Sequence, residues 1–177
     1  MDYDKILPKF KYNLNPIENR IIVRKEAICS CCNEKTEFVY EGPFYSIEDV
    51  EVICPWCIED GKAAQKYYGR FQDTSACEKV ISKESLDELI YRTPGYSGWQ
   101  QEVWLSHCGD FCAFIGYVGW SEIEELVNEL EEDLDKIKRA YKLTQEELEN
   151  ALEYGSLQGY LFKCVVCGKN RLAVDCD

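Results

Sequence analysis

Eight of the eleven cysteines in this 177-residue chain fall into four close pairs: Cys29 with Cys32, Cys54 with Cys57, Cys108 with Cys112, and Cys164 with Cys167. A short gap within a tight turn lets both sulfurs of a pair point at one ion, and tetrahedral zinc needs two such turns to complete four ligands at about 2.3 Å. Four pairs therefore predict two zinc ions. The first two pairs read C-x2-C-x21-C-x2-C, close to the usual spacing of a four-cysteine zinc site. Between the last two pairs lie 51 residues, so a second site there would join distant parts of the chain and fix the terminal hairpin onto the core. The pairs Cys29/Cys32 and Cys164/Cys167 look alike, which leaves a second partition open: those two sharing one ion, Cys54/Cys57 and Cys108/Cys112 the other. Spacing does not choose between them. Cys31, Cys77 and Cys176 are left over and read as structural.

Thiol chemistry competes with metal binding for these sulfurs. The CPWC at 54 to 57 opens a helix as a thioredoxin-like dithiol would, but no βαβ pattern precedes it and a complementary pair sits at zinc spacing. His107, the single histidine, adjoins Cys108 in HCGDFC; a zinc-bound Cys108 has no free thiolate for that histidine to activate. Ligand, supporting polar group and catalyst all remain open roles for His107. No H-E-x-x-H and no H-x-E with C-x2-C is present. Four cysteines per ion leave no open position for water, so structural metal and no enzymatic activity are expected. The alternative is a hydrolase or thiol enzyme with a pocket around Trp99, Gln100, His107 and Cys108. Trp99 and Trp104 read as core residues rather than as a binding platform.

Elements of two kinds must position these groups. Residues 20–41 and 159–175 each place β-prone residues on both sides of a cysteine-bearing turn, which predicts two hairpins of one design. Between them the pattern is helical: one helix after Pro55 stopping near Gly69, a short one with Leu86, Leu89 and Ile90 on one side ended by Pro94, and a long amphipathic one entered through a Ser121/Glu124 capping box. Thr144 and Glu147 repeat the box for a last helix ended by Gly155. The fold class expected is α+β, a single compact unit with zinc-ribbon-like hairpins at both ends and helices in the middle and C-terminal half. Within one domain over 1–177, residues 20–70 form a zinc-ribbon-like part, 71–120 a core with HCGDFC, 121–155 acidic helices and 159–177 a C-terminal knuckle hairpin.

The formal charge is −13, from 33 acidic against 20 basic residues, so most of the surface should repel phosphate backbones and hold a basic partner instead. The N-terminus lacks a basic stretch followed by an apolar one, and no run of about eighteen apolar residues occurs. A cytoplasmic, reducing setting is expected, where close cysteine pairs serve metals more often than disulfides.

Further residues carry a family likeness. FKYNLNP at 10–16, YEGPFYS at 40–46, ICPWCIEDGKAAQKYYGRFQD at 53–73, YRTPGYSGWQQEVWLSHCGDFCAFIGYVG at 91–119 and YLFKCVVCGKNRLAVD at 160–175 resemble the bacterial CbrC family in order and spacing. The likeness is weak over 121–155. That family takes its name from a colicin-tolerance protein, so the resemblance implies toxin immunity: binding and neutralising a basic, nuclease-type toxin domain. Glu122, Glu125, Glu129, Glu132 and Asp133 on the acidic helix are the candidate contacts.

Overall fold

The computed structural model describes residues 6–176. The fold is α+β, with zinc-ribbon-like hairpins near both ends, and its contacts gather into two compact units. Asp177, the last residue of the expected C-terminal hairpin, lies outside the described residues, as do residues 1–5.

The first unit holds the chain up to Ser75 together with Lys83–Ser97. Strands β1 (Ile22–Ile28) and β2 (Lys35–Tyr40) pair antiparallel, with a register shift between Arg24 and Ala27. Helix α1 (Pro55–Glu59) starts on Pro55, whose missing N–H costs nothing in the first turn. The helix expected to run on toward Gly69 breaks at Gly61 (φ 76°) and resumes as α2 (Lys62–Tyr67), because a left-handed residue cannot continue a right-handed helix. Helix α3 (Lys83–Arg92) stops just before Thr93 and Pro94. Tyr12, Ile22, Ile58, Phe71, Leu89 and Tyr96 are fully buried in this unit. Phe71 packs edge-on against Tyr40 at 5.3 Å, and the Tyr40 hydroxyl donates to the Pro43 carbonyl (2.7 Å) while accepting from the Gly95 N–H (3.0 Å). That tie holds β2 against the segment that follows α3.

The second unit holds Ala76–Ser82 and the chain from Gly98 onward. Its four-stranded antiparallel sheet runs in the order β3 (Ser106–His107), β4 (Asp110–Val118), β5 (Gln158–Cys164), β6 (Asn170–Asp175). The first two strands fall within the 71–120 core, where the sequence predicts the helix ended by Pro94 but no strands; Cys108 and Gly109 of HCGDFC form their turn. Helices α4 (Trp120–Ile123), α5 (Val127–Tyr141) and α6 (Gln145–Glu153) follow β4. The helical entry lies two residues earlier than expected, since Glu122 rather than Glu124 reaches back, accepting from the Gly119 N–H at 2.6 Å. The Thr144/Glu147 box is present as predicted, each residue bonding the other's amide. Leu130, Leu134 and Ile137 recur at helical spacing on α5 and join Ile123, Leu148, Leu152, Leu161 and Leu172 in one apolar cluster. Trp104, Phe114 and Phe162 form an aromatic group, with the Trp104 indole N–H donating to the Cys112 carbonyl at 2.8 Å.

Candidate metal centres

In the first unit the β1–β2 connection carries Cys29 and Cys32. The Cys29 amide donates to the Glu34 carbonyl (2.9 Å), and the Cys29 carbonyl accepts from the Asn33 N–H (2.8 Å). Asn33 takes a left-handed φ of 60°, a conformation that its short polar side chain tolerates. This closed turn aims both sulfurs the same way. Across from it Cys54 caps α1 and Cys57 sits one turn inside, so both face the hairpin. The Sγ atoms of Cys29, Cys32, Cys54 and Cys57 all lie within 4.8 Å of one another and could hold a metal ion. Cys29, Cys54 and Cys57 are buried and Cys32 is half-buried.

The electrostatics favour a cation there. The hydrogen bond from the Cys54 thiol, reinforced by backbone N–H groups including that of Cys54 (3.3 Å), brings the Cys29 thiol down to about 4 against the opposing effect of burial. Cys54 and Cys57 are pushed the other way, Cys54 chiefly by the bond it donates to Cys29 and Cys57 chiefly by burial. One thiolate among clustered thiols is what a divalent ion completes, displacing the remaining protons as it binds.

In the second unit the β5–β6 connection repeats the turn. The Cys164 amide donates to the Lys169 carbonyl (2.8 Å), the Cys164 carbonyl accepts from the Gly168 N–H (3.0 Å), and Gly168 has φ 78°. The amides of Val166 and Cys167 point at the Cys164 sulfur, 3.4 and 3.5 Å away. Burial raises the Cys164 thiol, but those amides and the neighbouring His107 and Cys167 outweigh it and bring it down to about 6. The facing residues come from β3–β4, whose ladder pairs His107 with Asp110. Only Cys108 and Gly109 remain between them, both at positive φ (54° and 78°), the signature of a two-residue type I′ turn. His107 Nδ1 stands 3.2 Å from Cys108 Sγ and 3.3 Å from Cys167 Sγ. His107, Cys108, Cys164 and Cys167 have their ligand atoms mutually within 4.8 Å and form a second group that could hold a metal. Here Cys108 and Cys167 are exposed.

Cys112 is not in that group. The tight turn puts residues 107 and 108 at the hairpin tip and carries Cys112 two residues into β4, opposite Cys164 on the ladder and fully buried. Burial pushes its thiol up to about 12, as expected of a small apolar core residue. Its place in the second group is taken by the imidazole. Of the two partitions open in the sequence, Cys29/Cys32 meets Cys54/Cys57, and Cys164/Cys167 meets the HCGDFC turn. Three thiolates with an imidazole, like four thiolates, are a zinc donor set in which protein atoms fill every tetrahedral position.

The expected partner contacts fare unevenly. Asp133 is buried, gripping the Arg171 guanidinium through two bonds (2.7 and 3.0 Å) and accepting from the Leu172 N–H (3.0 Å). Glu129 is taken up by Asn170, accepting from its backbone and side-chain N–H groups at 2.7 and 2.8 Å. Both carboxylates brace β6. Glu122, Glu125 and Glu132 are exposed, with Glu132 paired to Lys136 at 2.8 Å. Trp104 is wholly buried, whereas Trp99 is nearly half exposed.

The fold and these clusters define an α+β protein with two sulfur-rich centres suited to metal ions. The chain belongs to the uncharacterised protein family UPF0167, whose family model matches residues 7–176. It is 38% identical over 175 residues to UPF0167 protein Mb2317 of Mycobacterium bovis and to UPF0167 protein MT2352 of Mycobacterium tuberculosis, covering 96% of this chain and 93% of each relative. To UPF0167 protein PA1536 of Pseudomonas aeruginosa it is 35% identical, covering 96% of this chain and 97% of the relative. No solved structure matches. These relationships correct the resemblance to the CbrC family: the family model and the relatives alike are UPF0167, and none points to CbrC. The immunity role implied by that resemblance loses its support with it.

Proposed function

We propose that this chain is a zinc-stabilised, non-enzymatic binding protein in which two metal centres build the scaffold. The observation that carries this reading is the convergence of four donors at each centre, Cys29, Cys32, Cys54 and Cys57 in one and His107, Cys108, Cys164 and Cys167 in the other. Each set fills a tetrahedral zinc ion completely, which favours a structural over a hydrolytic ion. Free thiols at this density suit a reducing compartment, which supports a cytoplasmic setting. Among the described residues no helix is long and apolar enough to cross a membrane.

The net charge of −13 supports a basic macromolecular partner. A nuclease-type toxin domain is one protein of that description, and charge is what speaks for it. The thiol-enzyme alternative draws on the exposed Cys108 beside His107, but loading the centre would occupy that sulfur. The test is metal content and stability together: purified protein should carry two zinc ions, and a strong chelator should abolish its cooperative thermal transition. Protein that keeps that transition after complete metal removal would refute the scaffold role.

A further inference from the structure

A groove of about 540 Å³ opens beside the first centre, between the β1–β2 hairpin and α1. Its walls are aromatic and apolar: Phe38 and Trp56 stand edge to face at 6.5 Å, and Ile28 is 62% exposed. Its floor includes Cys32 and Cys54, and its rim carries Glu26, Glu34 and Glu37. The register shift between Arg24 and Ala27 falls next to Glu26, where a bulge re-aims side chains out of the regular alternation. Glu37 is engaged by Arg24 at 3.0 Å. Among the described residues Glu26 and Glu34 have no ion pair, and Lys35 is the one cationic side chain lining the groove.

We propose that this groove is a recognition site for a lysine or arginine side chain presented by a basic peptide segment of a partner protein. The inference rests on the reading of this chain as the binder of a basic partner and says which surface does the binding. An aliphatic stem with a cationic head matches the groove's two features. The stem lies along Ile28 and the aromatic wall, while the head is presented to the Glu26 and Glu34 carboxylates that line the same groove. Aromatic faces and unpaired carboxylates both attract a cation and both disfavour an anion. The thiolates of a loaded four-cysteine centre would add negative charge beneath the floor, since four thiolates outweigh one divalent ion.

The test uses zinc-loaded protein and acetyl-Gly-Arg-Lys-Arg-Gly-amide as the probe, with a Gly-Gln-Gln-Gln-Gly analogue as control, read by calorimetry and by amide chemical shifts. The basic peptide should bind and the neutral one should not, with affinity falling as salt rises and shifts centred on residues 26–28, 34–38 and 56. Glu26→Gln combined with Glu34→Gln should weaken binding by about tenfold or more, as should Trp56→Leu, with zinc content unchanged. The double carboxamide variant changes only exposed side chains, so it remains informative even where Trp56→Leu fails to fold. Undiminished affinity in that double variant overturns the groove. If affinity falls instead in a Glu122→Gln, Glu125→Gln, Glu132→Gln triple variant, the groove is overturned while the basic-partner reading stands. No binding of the basic peptide at all overturns both.

Discussion

Cys29 and Cys164 occupy equivalent places in two separate turns. The amide of each donates to the carbonyl five residues on (Glu34, Lys169), and the carbonyl of each accepts from the amide four residues on (Asn33, Gly168). The fourth-on residue is left-handed in both, at φ 60° and 78°. One backbone device thus serves two centres. The partners differ: a helix N-terminus supplies the other two sulfurs in the first, a hairpin tip supplies an imidazole and a sulfur in the second.

The second centre separates two cysteines that sequence spacing treats as a pair. Cys108→Ser should remove one zinc ion per chain. Cys112→Ala should leave both ions in place and cost about 1 kcal/mol of stability for the lost buried sulfur. Zinc analysis of the two variants beside urea denaturation checks this; loss of zinc from the Cys112 variant would place that sulfur among the ligands.

The left-handed turn residues make a paired prediction. Gly168→Ala places a Cβ at φ 78°, which costs about 1–2 kcal/mol, and should weaken zinc retention at the second centre in a chelator competition. Asn33→Gly relieves the same restriction at the first centre and should leave zinc retention there unchanged.

Asp133 is predicted to matter for stability rather than for partners. Its carboxylate and the Arg171 guanidinium are 6% and 12% exposed, and Arg171 also donates to the Ser106 carbonyl. Asp133→Ala takes the two short bonds from the guanidinium, which keeps the longer Glu78 contact (3.5 Å), and should cost about 3 kcal/mol, the low end for a broken buried pair. Urea denaturation measures it. A change under about 1 kcal/mol would mean that the pair is not held as described.

Glu129 should leave a signature in acid. The Asn170 backbone and side-chain N–H groups hold its carboxyl below the usual glutamate value of 4.5. A carboxylate depressed in the folded state stabilises above its unfolded pKa and loses that contribution as pH falls through the folded one. Wild type should therefore be more stable than Glu129→Gln near neutrality, with the gap closing below about pH 4.5. Parallel denaturation curves at several pH values check the sign; a gap that widens in acid would contradict it.

Much of this was legible in the sequence, and the failures have physical causes. Close pairs in turns announce metal ligands because few other arrangements need two thiols at fixed short spacing, so all four sulfurs of the first centre are legible as ligands, while spacing alone leaves open which pairs share an ion. The hairpins at 20–41 and 159–175 and the Thr144/Glu147 cap were legible through β-branched residues and capping chemistry. His107 was not assigned because C-x3-C was read as one knuckle. The signal lay in the Cys108-Gly109 dipeptide, a two-residue turn that ends one strand on His107 and starts the next at Asp110. The roles of Glu129 and Asp133 were illegible for another reason: their partners, Asn170 and Arg171, are 41 and 38 residues away, and only the folded sheet brings them together.

X-ray absorption at the zinc edge tests the central claim most directly, because it counts donor atoms as well as ions. With both centres loaded, four sulfurs from the first and three from the second, plus the His107 nitrogen, predict an average of seven sulfurs to one nitrogen over two zinc ions. The sulfur distance should lie near 2.3 Å and the nitrogen near 2.0 Å. A shell of eight sulfurs would return Cys112 to the second centre, and a shell dominated by oxygen would show that these cysteines do not gather around zinc at all.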